Sequence, residues 1–304
     1  MLQSSEHLTT ERPLQKMFKF TTSQKIYIAS VFSKFLIFFL GKKKRIITRD
    51  KISYLVDLNE GIDLGIFLKI KNEKKLFNIK NILKNNKNIS LVDIGANIGS
   101  VTLPLAGLFN KSNIIAIEPT IYAFKKLKKN ISLNSNLNKR IKTFNFFISN
   151  NNKKVKYVHS SWNFSDDNSK HKIHLGSLRK NTHKIISLDG LIKKLNKKIH
   201  FIKIDVDGYE LDVLNSGYKT IKKYKPIIYI EFAPYLHEDF GYTTENLIKF
   251  IKKKINYSFF NEDFIEIKNI KSYVKTINNR SENLFLINKD RKSIYKKLLA
   301  NIAE

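Results

Sequence analysis

The sequence predicts a doubly wound α/β fold: a mostly parallel sheet of about seven strands, an antiparallel pair at one edge, and a helical extension before it. Three observations predict it. Apolar runs of strand length alternate with helical patterns from Ile89 onward. The first run, Ser90-Leu91-Val92-Asp93-Ile94, passes straight into a turn bracketed by Gly95 and Gly99. Acids close four of the runs, at Asp93, Glu118, Asp205 and Glu231. Alternation of this kind implies parallel strands joined by right-handed crossovers, with ligands bound beyond the carboxyl ends of the strands.

In order, residues 1–22 read as a flexible leader, and 23–88 as a helical or mixed extension with a candidate hairpin at Asn59-Glu60-Gly61. The main domain spans 89–290. Its elements are a strand to Ile94, a helix over 100–109, a strand over 114–118, a helix over 121–133 and a third strand over 141–148. Pro119 closes the second strand. Residues 150–183 are polar, interrupt the alternation, and read as loops with a short ribbon. The pattern resumes with a helix over 188–195, a strand over 201–205, a helix over 210–223 and a strand over 227–231. A helix over 244–254 and two final strands, 257–260 and 283–287, complete it. Residues 291–304 form a tail.

No cysteine is present, which excludes disulfides, thiolate zinc sites and thiol catalysis and suits a cytoplasmic, reducing compartment. Net charge is +30. That points either to an anionic partner or to the Lys-, Asn- and Ile-rich bias of an AT-rich genome. The even spread of the lysines favours bias. The apolar run from Ile26 to Leu40, followed by Lys42, Lys43, Lys44 and Arg45, is interrupted by Lys34 and two serines. It is too short and broken for a membrane span. It reads as a helix buried on the domain or on a second copy in a homodimer, or as an interfacial helix over residues 26–45 touching the inner face of the membrane.

The chemistry concentrates in two motifs. Asp93-Ile94-Gly95-Ala96-Asn97-Ile98-Gly99 follows a strand and opens a helix, with glycines that let backbone approach a ligand. It is not the three-glycine dinucleotide fingerprint, and an acid in its first position repels phosphate. It could instead help hold a cationic amino-acid end, directly or through water. Glu118, closing the next strand, can accept both hydroxyls of a ribose. The second motif, Lys203-Ile204-Asp205-Val206-Asp207-Gly208-Tyr209-Glu210, crowds three acids at a strand end. Helix capping accounts for Glu210 but not for Asp205.

The stretch from Ser90 to Glu231 resembles the FkbM-type methyltransferase family. The resemblance rests on Asp93–Gly99, Glu118-Pro119, Asn130, Ser187-Leu188-Asp189-Gly190-Leu191, Lys203–Glu210, Val213-Leu214 and Glu231. One departure is Asp207, where the family usually has Glu. The resemblance implies a Rossmann-like class I methyltransferase fold, S-adenosyl-L-methionine as cofactor, and O-methylation of a sugar, glycan or other natural-product hydroxyl. Asp93, Gly95, Asn97 and Gly99 would then surround the methionine portion, Glu118 the ribose, and Ser149 the adenine. Ile98 or Ile117 would pack on the ring or belong to the core. Asp205 is the first candidate for general base, with Asp207 or Glu231 as partner, and His237 is a further candidate. Asp205, Asp207 and Glu231 could ligate Mg²⁺, but nothing demands a metal and none is expected. Trp162, His159, His171 and His174 are candidates to line the acceptor site. Two other functions compete: an RNA methyltransferase using the basic surface, and a non-enzymatic cofactor-binding or membrane scaffold. No RNA-binding module is recognisable, so nucleic acid is not the expected partner. Three acids kept at one sheet edge argue for an enzyme.

Overall fold

The computed structural model describes residues 22–69, 76, 78–83, 88–150, 157–162, 176–180, 184–277 and 281–291. A long helix, α1 (Thr22–Leu40), leads into a hairpin of β1 (Lys44–Arg49) and β2 (Ile52–Asp57), then α2 (Gly61–Phe67) and α3 (Ile79–Leu83). The domain proper follows: β3 (Ile89–Ile94), α4 (Thr102–Leu108), β4 (Ser112–Ile117), α5 (Ile121–Ser132), a helical turn at Ser135–Asn138, β5 (Ile141–Phe144), and β6 (Phe147–Ile148). Next come β7 (Tyr157–Trp162), β8 (Gly176–Lys180), β9 (Ile185–Ile186), α6 (Leu188–Leu195), β10 (Phe201–Ile204), α7 (Glu210–Ser216) and α8 (Tyr218–Tyr224). The chain closes with β11 (Ile227–Phe232), α9 (Pro234–His237), α10 (Thr244–Lys249), β12 (Tyr257–Phe260), α11 (Ile270–Thr276) and β13 (Glu282–Asn288).

Seven strands form one sheet in the order β12-β13-β11-β10-β3-β4-β5. β13 runs antiparallel to both β11 and β12, and the pairs among β11, β10, β3, β4 and β5 are parallel. The fold expected from the sequence is therefore present, with the antiparallel strand one place in from the edge. The chain winds outward from β3 to β4 and β5, then returns to the other side of β3 as β10. This reversal opens a crevice at the carboxyl ends of β3 and β10, where doubly wound sheets bind ligands.

Each strand of the sheet centre is apolar on both faces, because helices cover both. Leu91, Ile114, Phe201 and Ile227 face one core, while Val92, Ile115, Ile202 and Ile228 face the other. The first core also takes Ile52, Tyr54, Val56, Ile79, Ile82 and Leu83, so the extension packs directly onto one face of the sheet.

Several local expectations change. The hairpin turns at Asp50-Lys51, whose φ values of 47° and 65° give the left-handed pair a two-residue hairpin needs. Asn59-Glu60-Gly61 instead leads into α2. The strand expected over 141–148 splits into β5 and β6, with β6 pairing β9 outside the main sheet. Asn145 lies at the break, and its Nδ2 donates to the carbonyls of Glu118 and Pro119, drawing the chain out of line. The helix expected over 210–223 is two helices meeting at Gly217, where a Cβ would fall 2.6 Å from Leu188 Cδ2. The helix over 244–254 ends in a π-helical turn, Phe250–Lys254. The polar insert does hold a ribbon, β7 with β8, and Trp162 and His159 fall on β7. His171 and His174, nearly all of the leader and the tail beyond Arg291 lie outside the described residues.

Helix α5 carries the side chains that fasten the extension. Asn130 Oδ1 accepts from Leu55 N–H, and its Nδ2 donates to Ile98 C=O in the glycine turn. Asn134 pairs both backbone groups of Ser53. Two asparagines thus serve β2 as a neighbouring strand would, satisfying buried backbone groups. One turn earlier, Lys126 forms ion pairs with Asp63 and with Glu60, the latter at 3.4 Å, and the Tyr122 hydroxyl donates to Glu60. Burial pushes the Asp63 carboxyl up to about 7, although Lys126 pulls it down. A carboxyl raised in this way stabilises the fold below its unfolded value, and that contribution is lost as pH rises through about 7. Lys126→Met should therefore lower unfolding free energy by about 3–5 kcal/mol in mildly alkaline buffer, because it strands a buried charge. The deficit should shrink in mildly acidic buffer, where Asp63 protonates, and urea titration at the two pH values measures it.

Candidate active site

The crevice between β3 and β10 is built around one lysine. The parallel register sets Lys203 directly opposite Asp93. Both side chains are buried, and Lys203 Nζ stands 3.4 Å from Asp93 Oδ1 and 3.1 Å from Asp205 Oδ2. The same ammonium donates to Gly95 C=O at 2.8 Å. Asp93 Oδ2 accepts from the Thr102 hydroxyl at 2.6 Å, which ties the strand end to the first turn of α4. Asp93 is fully enclosed by these contacts, so it shapes the crevice through Lys203 and Thr102 rather than lining it.

The glycine turn follows from close approach. At Gly95, φ is +76°, and a Cβ would lie 1.8 Å from Asp205 C=O. At Gly99, φ is +91°, and a Cβ would lie 2.9 Å from Leu127 Cδ1. Asn97, between them, has φ +47°. Its N–H donates to Glu118 Oε2, while Glu118 Oε1 accepts from the Thr120 N–H and hydroxyl. Burial pushes the Glu118 carboxyl up, against the pull of these donors and of Lys203. Glu118 thus clamps the turn to the end of β4. Ile98 and Ile117 are both fully buried and belong to the core, not to a ligand surface. Ser149 is also fully buried; its N–H donates to Ile186 C=O, and its Oγ has no hydrogen-bond partner.

Beyond β10 the carboxylates of Asp205, Asp207 and Glu231 each present an oxygen within 4.8 Å of the others. All three are partly exposed. Groups so close share one proton or one divalent cation. Burial pushes the Glu231 carboxyl well above the usual range, and the charges of Asp205, Asp207 and Glu210 add to this. Asp207 holds φ +50° at the turn into α7. The Phe240 ring closes over Gly208, where no side chain fits. Tyr209 lies between Phe147 and Phe240, at ring distances of 4.8 and 4.4 Å.

His237 does not join this group. It is fully buried, bonded through Nδ1 to the Thr244 hydroxyl, and stacked on Tyr242. Burial pushes its imidazole down to about 4, which removes it as a base at the surface. Two residues were missed by sequence reasoning. Lys203 was visible as a lone cation inside an apolar strand, yet its meaning depends on the register. Tyr235 sits close enough to Glu231 and Asp207 for their charges, after burial, to raise its phenol, and no sequence pattern marks it.

The family description "Methyltransferase FkbM domain" matches residues 93–259, more than half of the chain. Among solved structures, methyltransferase FkbM from Methylobacillus flagellatus KT is 19% identical with a TM-score of 0.41; the match covers 66% of this chain and 43% of that one. The chain thus spans less than half the length of that protein. The METTL16 methyltransferase domain is 10% identical with a TM-score of 0.46, covering 86% and 80%. M. jannaschii TYW2 in complex with AdoMet is 14% identical with a TM-score of 0.37, covering 81% and 84%. At these values they stand as likenesses only, and the fold rests on its own strand order. No protein of curated function matches.

Glu210 gives the site a pH signature. It is fully buried, and burial raises its carboxyl to about 7, with donors from Gly208 N–H and the Tyr242 hydroxyl opposing. Its stabilising contribution is present below 4.5 and lost as pH rises through about 7. Glu210→Gln has no such loss. Its melting temperature should rise relative to the unsubstituted protein across that interval and hold a constant offset on either side.

Proposed function

The chain belongs to the FkbM-domain methyltransferases, and from that premise we propose that it transfers a methyl group from S-adenosyl-L-methionine to a hydroxyl of a sugar, glycan or other small natural product. The observation that carries this reading is the convergence of Asp205, Asp207 and Glu231 on one point at the carboxyl ends of β10 and β11, beside the glycine turn. The Ser149 Oγ, buried and without a partner, would be satisfied by an adenine edge. Gly95, Asn97 and Gly99 would hold the methionine portion by backbone contact. Glu118 would take the ribose with the lone pairs its clamp leaves free. When bound, the cofactor supplies an electrophilic methyl group on a sulfonium.

The chain's own residues supply alignment and proton handling. Lys203 fixes Asp205 at the strand end, where its carboxylate can accept a hydrogen bond from an acceptor hydroxyl. Glu231, whose carboxyl holds its proton well above the usual range, is the stronger base once ionised and would take the hydroxyl proton. No cation is needed for that step, so turnover should survive chelation with EDTA. Tyr209 and Phe240, packed edge to face, would offer an aromatic contact to a sugar.

The test uses radiolabelled S-adenosylmethionine with panels of nucleotide sugars, polysaccharides and transfer RNA. Label should enter a hydroxylated carbohydrate and not RNA; label in RNA alone would contradict the acceptor class. Asp205→Asn and Glu231→Gln should each lose about a hundredfold in turnover while retaining S-adenosylhomocysteine affinity. Unsubstituted protein should gain rate as pH rises through the Glu231 ionisation, and Glu231→Gln should lack that limb.

A further inference from the structure

Helix α1 is turned the wrong way for a soluble surface. Its inner side packs on the domain, where Ser33 is fully buried and its hydroxyl donates to Leu58 C=O at 2.7 Å. Arg45 caps its end, donating to Leu40 C=O and Lys42 C=O. The outer side should then be polar. Instead it presents Tyr27, Val31, Phe35, Phe38 and Phe39, with Phe38 81% exposed and Phe39 67%. Phe35 touches Phe39, which meets Phe38 edge-on, so the aromatic rings form one patch. Lys42, Lys43 and Lys44, all exposed, follow immediately.

We infer that this face docks on an anionic lipid surface, with the rings of α1 in the headgroup–acyl boundary and Lys42, Lys43 and Lys44 on the lipid charges. No helix among the described residues is long and apolar enough to cross a membrane, so α1 lies along the surface. Its 19 residues give about 28 Å of contact. Aromatic and aliphatic side chains beside a lysine cluster are the composition of such interfacial helices. A second copy of the chain fits this face poorly. It would bring its own lysine cluster to the interface, and two chains of net charge +30 repel. Because the helix is fastened through Ser33 and Arg45, docking would hold the whole domain at the surface rather than tether it.

The full chain is mixed with vesicles of phosphatidylcholine, alone or with phosphatidylserine, and sedimented. It should sediment with the anionic vesicles only. Phe35→Ser combined with Phe38→Ser and Phe39→Ser leaves every charge in place, and should weaken that binding about tenfold or more. Lys42→Gln with Lys43→Gln and Lys44→Gln should weaken it comparably. Equal binding by the phenylalanine variant would overturn the inference, since only diffuse charge would then be at work. So would a chain that leaves both vesicles free, whether because other residues cover the face or because sedimentation velocity shows a dimer that the phenylalanine substitutions dissolve. Phe38→Trp is the conservative check should the triple variant fail to fold. Its added emission should shift blue and be quenched by brominated anionic lipid, and unchanged emission would equally overturn the inference.

Discussion

A single buried ammonium organises the carboxyl edge of this sheet. Lys203 lies in a strand whose other residues are all buried and apolar, and a lysine there is tolerated only because its charge is met. Asp93 meets it from the neighbouring strand, Asp205 from the end of its own, and Gly95 C=O from the turn between. One cation therefore binds the glycine turn to the acidic turn, the two loops that form the crevice. Gly95 must be glycine for the same reason: the turn is drawn so close to Asp205 C=O that a Cβ cannot fit. The approach that Lys203 maintains is the approach that shapes the site.

Around that contact, electrostatics are graded along the sheet edge. Asp93 is enclosed beside a cation, Glu118 accepts from Asn97 and Thr120, and Glu231 sits among further acids with burial against it. These differences divide the labour. Asp93 and Glu118 brace the turns around them, while Asp205, Asp207 and Glu231 crowd together and stay partly exposed. The same logic removes His237, which its sequence position recommended and its burial disqualifies.

Much of the sheet was legible because buried parallel strands write themselves as short apolar runs, and β3, β10 and β11 fall where those runs lie. Helix α6 was legible to the residue, since Ser187 caps it and Asn196 ends it in the left-handed conformation. Errors fell where tertiary contacts overrode local pattern. Residues 141–148 read as one strand, but Asn145 bonds sideways to the β4 end and breaks it. The hairpin turns on Asp50-Lys51, a pair without the glycine that usually announces such a turn. In the site, the acids were readable by type and spacing, whereas the difference between a lining acid and a bracing one was not. That difference depends on which side chain stands opposite in the register, as Lys203 does to Asp93. The attachment of the extension was hidden for the same reason, because it runs through Asn130 and Asn134 to residues some eighty positions away.

On the proposed function, Lys203 holds the two loops in the shape that receives an adenosyl ligand. Calorimetric titration of S-adenosylhomocysteine into the unsubstituted protein and into Lys203→Met, with circular dichroism to establish that the variant folds, measures this role. Binding should be saturable in the unsubstituted protein, absent for NAD, and weaker by about tenfold or more in the folded variant. Equal affinity in the two proteins, or no adenosyl binding to either, would contradict it.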